Sequence, residues 1–380
     1  MKKVFVLLFI ILNVLLLSSC KKTEFVKETI MLENAFSISP YIVLHANESD
    51  IKDIKDKIKS ELDEILKELD NKYDCHDDNS FISYINNNAY NEYVTLDDES
   101  KYIIQTALGC SKSFGGAYDI SIYPLIECWD FANKYYDGVH YYNPPEDEKI
   151  NELLELVDYN NVVIEENKIR FLKEGMKIDL GSCIKGYACD KIADHMDANY
   201  PNISYILNIG GNVLTSGSTI RNDKKDSFNI AIQTPFSEEI DKENTYYIGY
   251  VKAKTDERTT VVTSGIYERY IKDDKGNMYH HILDPKTGKP VDNNIESVTM
   301  VFDGKNASLF ADICSTGYFA YDPMNALNQS ALGRNWLGVV VVTKDKSIII
   351  SSSLENRFVF NEDLKDYYKF YTYYDYISSK

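Results

Sequence analysis

The chain has 380 residues, 44% of them hydrophobic and 13% aromatic, with a formal charge of −18. That apolar content builds a core for one large or two ordinary domains and excludes wholesale disorder. The acidic balance excludes the basic face that nucleic acid requires, and the single long apolar run, at the N-terminus, excludes a polytopic membrane protein.

Met1-Lys2-Lys3 is a short basic segment, and Val4 to Leu17 is apolar except for Asn13. The run is too short for a comfortable membrane span, which needs about 20 apolar residues. Leu17-Ser18-Ser19-Cys20 follows directly and resembles a bacterial lipobox. The resemblance implies a signal peptide over residues 1–19, cleavage before Cys20, and lipidation of its sulfur. Residues 20–35 then read as the lipidated cysteine and a polar tether, and residues 36–380 as the working domain. The expected location is the cell membrane, lipid-anchored and facing the extracytoplasmic side. The six other cysteines, Cys75, Cys110, Cys128, Cys183, Cys189 and Cys314, form no CxxC pair and no dense pattern. A structural zinc site and a disulfide framework are both disfavoured by that scatter.

From Glu48 to Asp70, Ile51, Ile54, Ile58, Leu62, Ile65, Leu66 and Leu69 recur in threes and fours, which predicts an amphipathic helix. A second helix is expected from Asp98 to Ser113, stopped by Gly115-Gly116. Pro144-Pro145 marks a loop, and Ile150 to Val157 a short helix. Val162 to Ile164 and Ile169 to Phe171 alternate as a hairpin around Glu166-Asn167. Lys177 to Leu180 reads as a strand, Gly181 as a turn, and Lys185 to Asn199 as a helix. Strands are expected at Tyr205 to Ile209, Phe228 to Gln233, Tyr246 to Ala253, Thr259 to Val262 and Ser297 to Phe302. A helix over Ser308 to Tyr321 precedes a hairpin of Trp336 to Thr343 with Ser347 to Ser351, and the tail from Asp366 is Tyr-rich. Helices and strands mix without strict βαβ alternation, which points to α+β in one large domain.

Three segments carry chemistry. Tyr279 to Gly288 holds the adjacent pair His280-His281, three residues before Asp284-Pro285. In extended chain neighbouring side chains point to opposite faces, so only one of the pair can serve a given site. An imidazole titrates near neutral pH and can take a proton from an alcohol, and a nearby carboxylate could orient it or hold a cation. Asp312 and Thr316 lie four apart on a predicted helix and share a face, a carboxylate and a hydroxyl suited to Mg²⁺. Asp179 to Tyr187 reads as a strand, a small-residue turn and a helix start with Lys185 at its head. Backbone N–H groups at such a start bind phosphate, although the spacing is neither a Walker A loop nor GxGxxG. Each segment alone also fits a loop or helix with an ordinary polar face.

Together these segments resemble the ApbE family, the bacterial FAD:protein FMN transferases. Gly115-Gly116-Ala117-Tyr118-Asp119-Ile120, Pro124-Leu125 and Trp129-Asp130-Phe131 look like "GAFD…PL…WGF". Asp179 to Asp190 looks like "DLGGIAKGYAVD", Asn208 to Asn212 like "NIGGD", and Thr263 to Arg269 like "TSGDYER". His280 to Gly288 looks like "HHILDPRTG", and Ala311 to Thr316 like "ADALST". The resemblance implies a single T-fold-like catalytic domain. It implies FAD as substrate, with its pyrophosphate near the turn from Asp179 to Lys185. Ala117, Tyr118 and Asp119 match a flavin-contacting stretch, with Ser264 and Gly265 also toward the nucleotide. Mg²⁺ would be held by Asp312, Thr316 and a backbone carbonyl near Ser182. His281, with Asp284 beside it, matches the family's HxxDP histidine. The implied reaction moves FMN onto a Thr or Ser hydroxyl of an exported flavoprotein carrying an Asp-x-x-Ser/Thr-Gly-Ala-Thr/Ser motif, and releases AMP. The chain departs from the pattern at His76, where an aromatic is usual, at Phe36 to Ser39, and at Cys183-Ile184, Cys314 and Gly317-Tyr318. Two other readings use the same residues: an FAD pyrophosphatase giving FMN and AMP, and an FAD-binding lipoprotein without chemistry.

Overall fold

The computed structural model describes residues 25–240, 243–331 and 337–380. Its centre is a nine-stranded sheet. In spatial order the strands are Phe25–Met31, Tyr41–Asn47, Ser204–Ile209, Asn212–Ser216, Thr259–Gly265, Ile295–Asp303, Leu337–Thr343, Ser347–Ile350 and Lys369–Thr372. Every neighbouring pair is antiparallel except the last, where Ser347 pairs with Lys369 in parallel. The mixed architecture is the α+β domain the sequence predicts.

Alternation along the strands divides the core. Val262, Val298, Met300, Val339 and Val341 pack with Ala311 and Phe319 of the helix Ser308–Tyr321. Their neighbours Val261, Val301, Val340 and Val342 pack on the other face with Ile230, Ile248 and Phe358 of a three-stranded sheet, Asn229–Gln233, Tyr247–Lys252 and Phe358–Phe360. The strand Ile295–Asp303 is covered on both faces, which is why Glu296, Ser297 and Thr299 are buried along with its apolar residues. On the helical side, Lys55–Tyr73 buries Ile58, Leu62, Leu66, Leu69 and Tyr73, one stripe at helical spacing. Helix Asp98–Ser113 has the predicted bounds, its start capped by Asp97, whose carboxylate accepts from Ser100 N–H.

Three expectations need correction. Residues 20–35 do not read through as a tether, because Phe25–Met31 is an edge strand paired along its whole length with Tyr41–Asn47. Lys177 to Leu180 is extended but joins no ladder; Lys177 makes an isolated bridge with Ile122, and Asp179 N–H donates to Ile120. The helix expected from Glu48 to Asp70 is broken into Glu48–Ile51 and Lys55–Tyr73. Trp336 and the N-terminal segment with Cys20 lie outside the described residues. Among the described residues no helix is long and apolar enough to cross a membrane.

Candidate active site

Two helices meet at the site. Ile184–Asn199 begins after the Gly181-Ser182-Cys183 turn, and Ser308–Tyr321 crosses it. The crossing is close because position 186 has no side chain: a Cβ there would lie 2.2 Å from the Ser308 carbonyl oxygen. The start of the second helix has no side-chain cap of its own. The buried Asp190 carboxylate serves instead, accepting from Ser308 N–H at 3.0 Å and Leu309 N–H at 3.0 Å. This pins the helix that carries Asp312 and Thr316.

Asp312 is 4% exposed, and its Oδ2 accepts from Gly186 N–H at 2.9 Å. Burial pushes its carboxyl up, while the Lys185 charge and the Gly186 N–H act in the opposite direction. Asn212 is buried beside it with its Oδ1 lacking a hydrogen-bond partner. One turn on, Thr316 Oγ1 lies 3.2 Å from Ser264 Oγ, which is 2.8 Å from Ser315 Oγ. The strand Thr259–Gly265 thus runs past its predicted end at Val262 to deliver Ser264 and Gly265 to the helix face. Among the described residues no group of three or more His, Cys, Asp and Glu is placed to hold a metal. The donor set is one carboxylate and hydroxyls, and a hard divalent cation fits it.

At the turn, Asp179 Oδ2 accepts from Gly181 N–H at 3.0 Å, and its Oδ1 accepts from the Cys75 thiol at 3.3 Å. Burial raises the Asp179 carboxyl and holds the Cys75 thiol well above its ordinary value. Lys185 folds back, its Nζ donating to the Gly181 carbonyl at 2.6 Å. Its charge acts on Asp179, Asp312, Glu268 and His281, so one lysine serves the whole cluster.

The histidine pair divides as extended chain requires. His280 ends the strand Met278–His280, is 5% exposed, donates from Nε2 to the Val291 carbonyl at 3.1 Å, and packs edge-on to Phe319. His281 is half-buried, and its Nδ1–H donates to the Arg269 carbonyl at 3.0 Å. That bond assigns the proton to Nδ1 and leaves the lone pair on Nε2. Desolvation, opposed by the Arg269 carbonyl and aided by the His280, Arg269 and Lys185 charges, lowers His281 to about 3.

The carboxylates of the two flanking motifs are held locally. Asp284 does not orient His281; its Oδ1 accepts from Lys286 N–H at 2.9 Å and its carbonyl from Gly288 N–H at 2.8 Å, closing its own turn. Trp129 ties that turn down by donating to the Gly288 carbonyl at 2.8 Å. Asp119 is buried, with Oδ1 held by the N–H and hydroxyl of Ser121 and Oδ2 by Tyr159 N–H. Ala117 and Tyr118 are buried too, and the Tyr118 hydroxyl accepts from Ser182 Oγ at 3.1 Å. Of the three, Tyr118 supports the Ser182 turn directly. His76 lies near Asp179, its Nδ1 3.1 Å from Asp74 Oδ1. Sequence reasoning missed Asp190, Gly186, Asn212 and the Arg269 carbonyl. Asp190 and Gly186 stood inside a segment already singled out, whereas the Arg269 carbonyl left no side-chain signal. A shallow depression between Lys55–Tyr73 and Phe81–Asn88, lined by Lys72, Phe81 and Tyr84, contains none of these residues.

Comparison with known proteins adds a family. A model described as the ApbE family matches residues 36–362. An FAD:protein FMN transferase of Klebsiella pneumoniae is 30% identical over 306 residues, covering 79% of this chain and 87% of that protein. One from Vibrio cholerae is 25% identical over 305 residues, covering 80% and 84%. The crystal structure of the ApbE protein of Thermotoga maritima is similar at a TM-score of 0.67 and 26% identity, covering 91% of this chain and 100% of that one. The structure of the flavin transferase ApbE of Vibrio cholerae shares the fold at a TM-score of 0.68 and 22% identity, covering 87% and 100%.

Proposed function

This chain belongs to the ApbE family, and from that premise we propose that it transfers FMN from FAD to a Thr or Ser hydroxyl of a target flavoprotein and releases AMP. The observation that carries the reading is His281, neutral, with its tautomer set by the Arg269 carbonyl and Nε2 free to accept a proton, beside the charge of Lys185. The acceptor oxygen attacks the FMN phosphorus, and its proton passes to His281 Nε2. The new P–O bond replaces the bond from that phosphorus to the bridging oxygen, which leaves with AMP.

Lys185, in the first turn of the helix Ile184–Asn199, offers positive charge to the pyrophosphate. Asp179 shapes the preceding Gly181-Ser182-Cys183 turn through Gly181 N–H. Ser264 and Gly265 line the nucleotide side, with Ala117, Tyr118 and Asp119 behind the turn. Asp312, Thr316 and the carbonyl near Ser182 would hold Mg²⁺, which when bound neutralises phosphate charge and eases departure of the leaving group. Asp284 contributes by shaping the loop that carries His281.

The lipobox-like Leu17 to Cys20 supports a lipid-anchored protein facing outward, acting on exported acceptors that carry an Asp-x-x-Ser/Thr-Gly-Ala-Thr/Ser motif. The test is incubation with FAD and Mg²⁺, with and without a peptide bearing that motif. AMP that appears only with the peptide, matched mole for mole by flavinylated peptide, is the expected result. AMP without peptide would make the protein a pyrophosphatase, and FAD binding without AMP a carrier.

A further inference from the structure

The segment that matches the family ends at residue 362, and the Tyr-rich tail lies beyond it. The tail is built into the fold. Lys369–Thr372 is the parallel ninth strand, and Lys369 N–H donates to the Lys346 carbonyl at 2.9 Å. Tyr368, one residue earlier, turns inward: it is 3% exposed and packs with Val340, Val342 and Ile348. Its ring centre lies 5.7 Å from Lys346 Nζ, which is itself 2.6 Å from Glu296 Oε1. Glu296 is buried on the strand Ile295–Asp303, which pairs with Thr259–Gly265.

Glu296 also touches the turn that leads to the reactive histidine. Gly265 is level with Ser297, and Ile266 N–H donates to the Glu296 carbonyl at 3.0 Å. Tyr267 follows, its ring folded over Gly265, where a Cβ would lie 2.5 Å from the ring. Two residues on, the Arg269 carbonyl accepts from the His281 backbone N–H at 3.1 Å and from its Nδ1–H at 3.0 Å. Tyr267 is thus the buried foot of the turn that sets the tautomer of His281.

The Tyr267 hydroxyl, the Tyr368 hydroxyl and Glu296 Oε2 are all buried and lack a hydrogen-bond partner. Their charges reach one another. Burial first, and then Glu268, Tyr368 and Glu296, push the Tyr267 phenol up; burial and then Glu296 do the same to Tyr368. Leaving three such groups unpaired is costly, and an internal water making about three hydrogen bonds is the ordinary remedy.

We propose that Tyr267, Tyr368 and Glu296 enclose one internal water, and that through it the C-terminal tail positions His281. The water accepts from both phenols and donates to Glu296 Oε2, which satisfies all three atoms, while Glu296 Oε1 stays with Lys346. The tail then holds Tyr267, Tyr267 holds the turn, and the Arg269 carbonyl at its end holds His281. Tyr368 and Glu296 are positioning residues that touch no substrate. The inference rests on the reading of His281 as the base.

The test compares full-length protein with Tyr267→Phe, Tyr368→Phe and the double variant. At saturating FAD and acceptor peptide each single change should lower kcat about three- to tenfold, with KM for FAD held within about twofold. Because both phenols serve one water, the double variant should lose no more than about the worse single one; losses that multiply would overturn the shared water. Labelling with ¹⁵N-histidine reads His281 directly, its signal assigned by its loss in His281→Ala. At neutral pH the wild type should carry its ring proton on Nδ1, and each Phe variant should show a growing share on Nε2. Tyr374→Phe alters an exposed ring of the same tail and should change neither quantity. A Tyr368→Phe protein with wild-type kcat, wild-type tautomer and a Tm held or raised would reduce Tyr368 to core packing and overturn the inference. Wild-type protein that transfers no FMN would remove the parent reading, and the histidine spectra would then decide the positioning on their own.

Discussion

Gly186→Ala tests whether the approach of two helices assembles the site. The added Cβ would meet the Ser308 carbonyl oxygen at 2.2 Å and the Asp312 Cβ at 2.7 Å. Carbon to carbonyl-oxygen contacts settle at about 3.3–3.6 Å, so the helices must part by ~1 Å or tilt. Overpacking of this kind costs about 1–3 kcal/mol, and better helix propensity returns about 1 kcal/mol, leaving a net loss of ~0–2 kcal/mol. The fall in Tm should be only a few degrees. The rate should suffer far more. The same movement stretches the 2.9 Å bond from Gly186 N–H to Asp312 and shifts Lys185, the next residue, against the turn. A misplacement of ~1 Å can cost about 10²-fold, so transfer should fall by about that factor. Gly109→Ala is the matched control: it is also in a helix, and a methyl group added there would have nothing within 4 Å. It should leave transfer unchanged and hold or raise Tm. Calorimetry and AMP release at saturating FAD and Mg²⁺ read both quantities. A Gly186→Ala protein with wild-type Tm and wild-type transfer would refute the idea that this crossing positions Asp312.

Further outcomes follow from single contacts. His281→Ala should cut transfer by about 10²–10⁴-fold with FAD affinity nearly intact; loss traced wholly to FAD binding would remove the base assignment. Because the folded-state value of His281 is lowered to about 3, its Nε2 stays unprotonated well below the ordinary histidine range. The pH–rate profile should therefore lack an inflection near about 6.5 from this group and fall only toward about 3, until acid unfolding intervenes. An acid-side inflection near about 6.5 that vanishes in His281→Ala would contradict the burial argument. Asp312→Ala should weaken Mg²⁺ binding and abolish turnover, read by titration calorimetry with FAD present; full activity at micromolar Mg²⁺ would place the metal elsewhere. Lys185→Met should raise the FAD dissociation constant by about tenfold or more, since one charge-assisted hydrogen bond is worth roughly 1.5–3 kcal/mol. Cys20→Ser should leave the protein soluble or unprocessed, and normal processing with unchanged membrane attachment would end the lipoprotein reading.

What the sequence determined by itself was local. The helix over Ser308 to Tyr321 was legible from end to end, and Asp98 to Ser113 was marked by its periodicity and the Gly115-Gly116 stop. The split of His280 from His281 follows from the two-residue period of extended chain, and the structure seats His280 against Phe319 accordingly. The placement of Asp312 and Thr316 on one face follows from helical spacing. Edge strands are harder to read. Phe25–Met31 buries little beyond Ile30, so its charged residues resemble a tether; only the ladder to Tyr41–Asn47 makes it a strand. Tertiary structure alone decided where the carboxylates go. Asp119 and Asp284 look like ligands in a motif, yet nearby backbone N–H groups occupy them. Asp190 looks like the end of a motif, yet it caps a helix more than a hundred residues away in sequence. A carboxylate accepts from whichever donor folding brings within about 3 Å, and donors from distant segments, such as Gly186 N–H for Asp312, exist only once the helices have crossed.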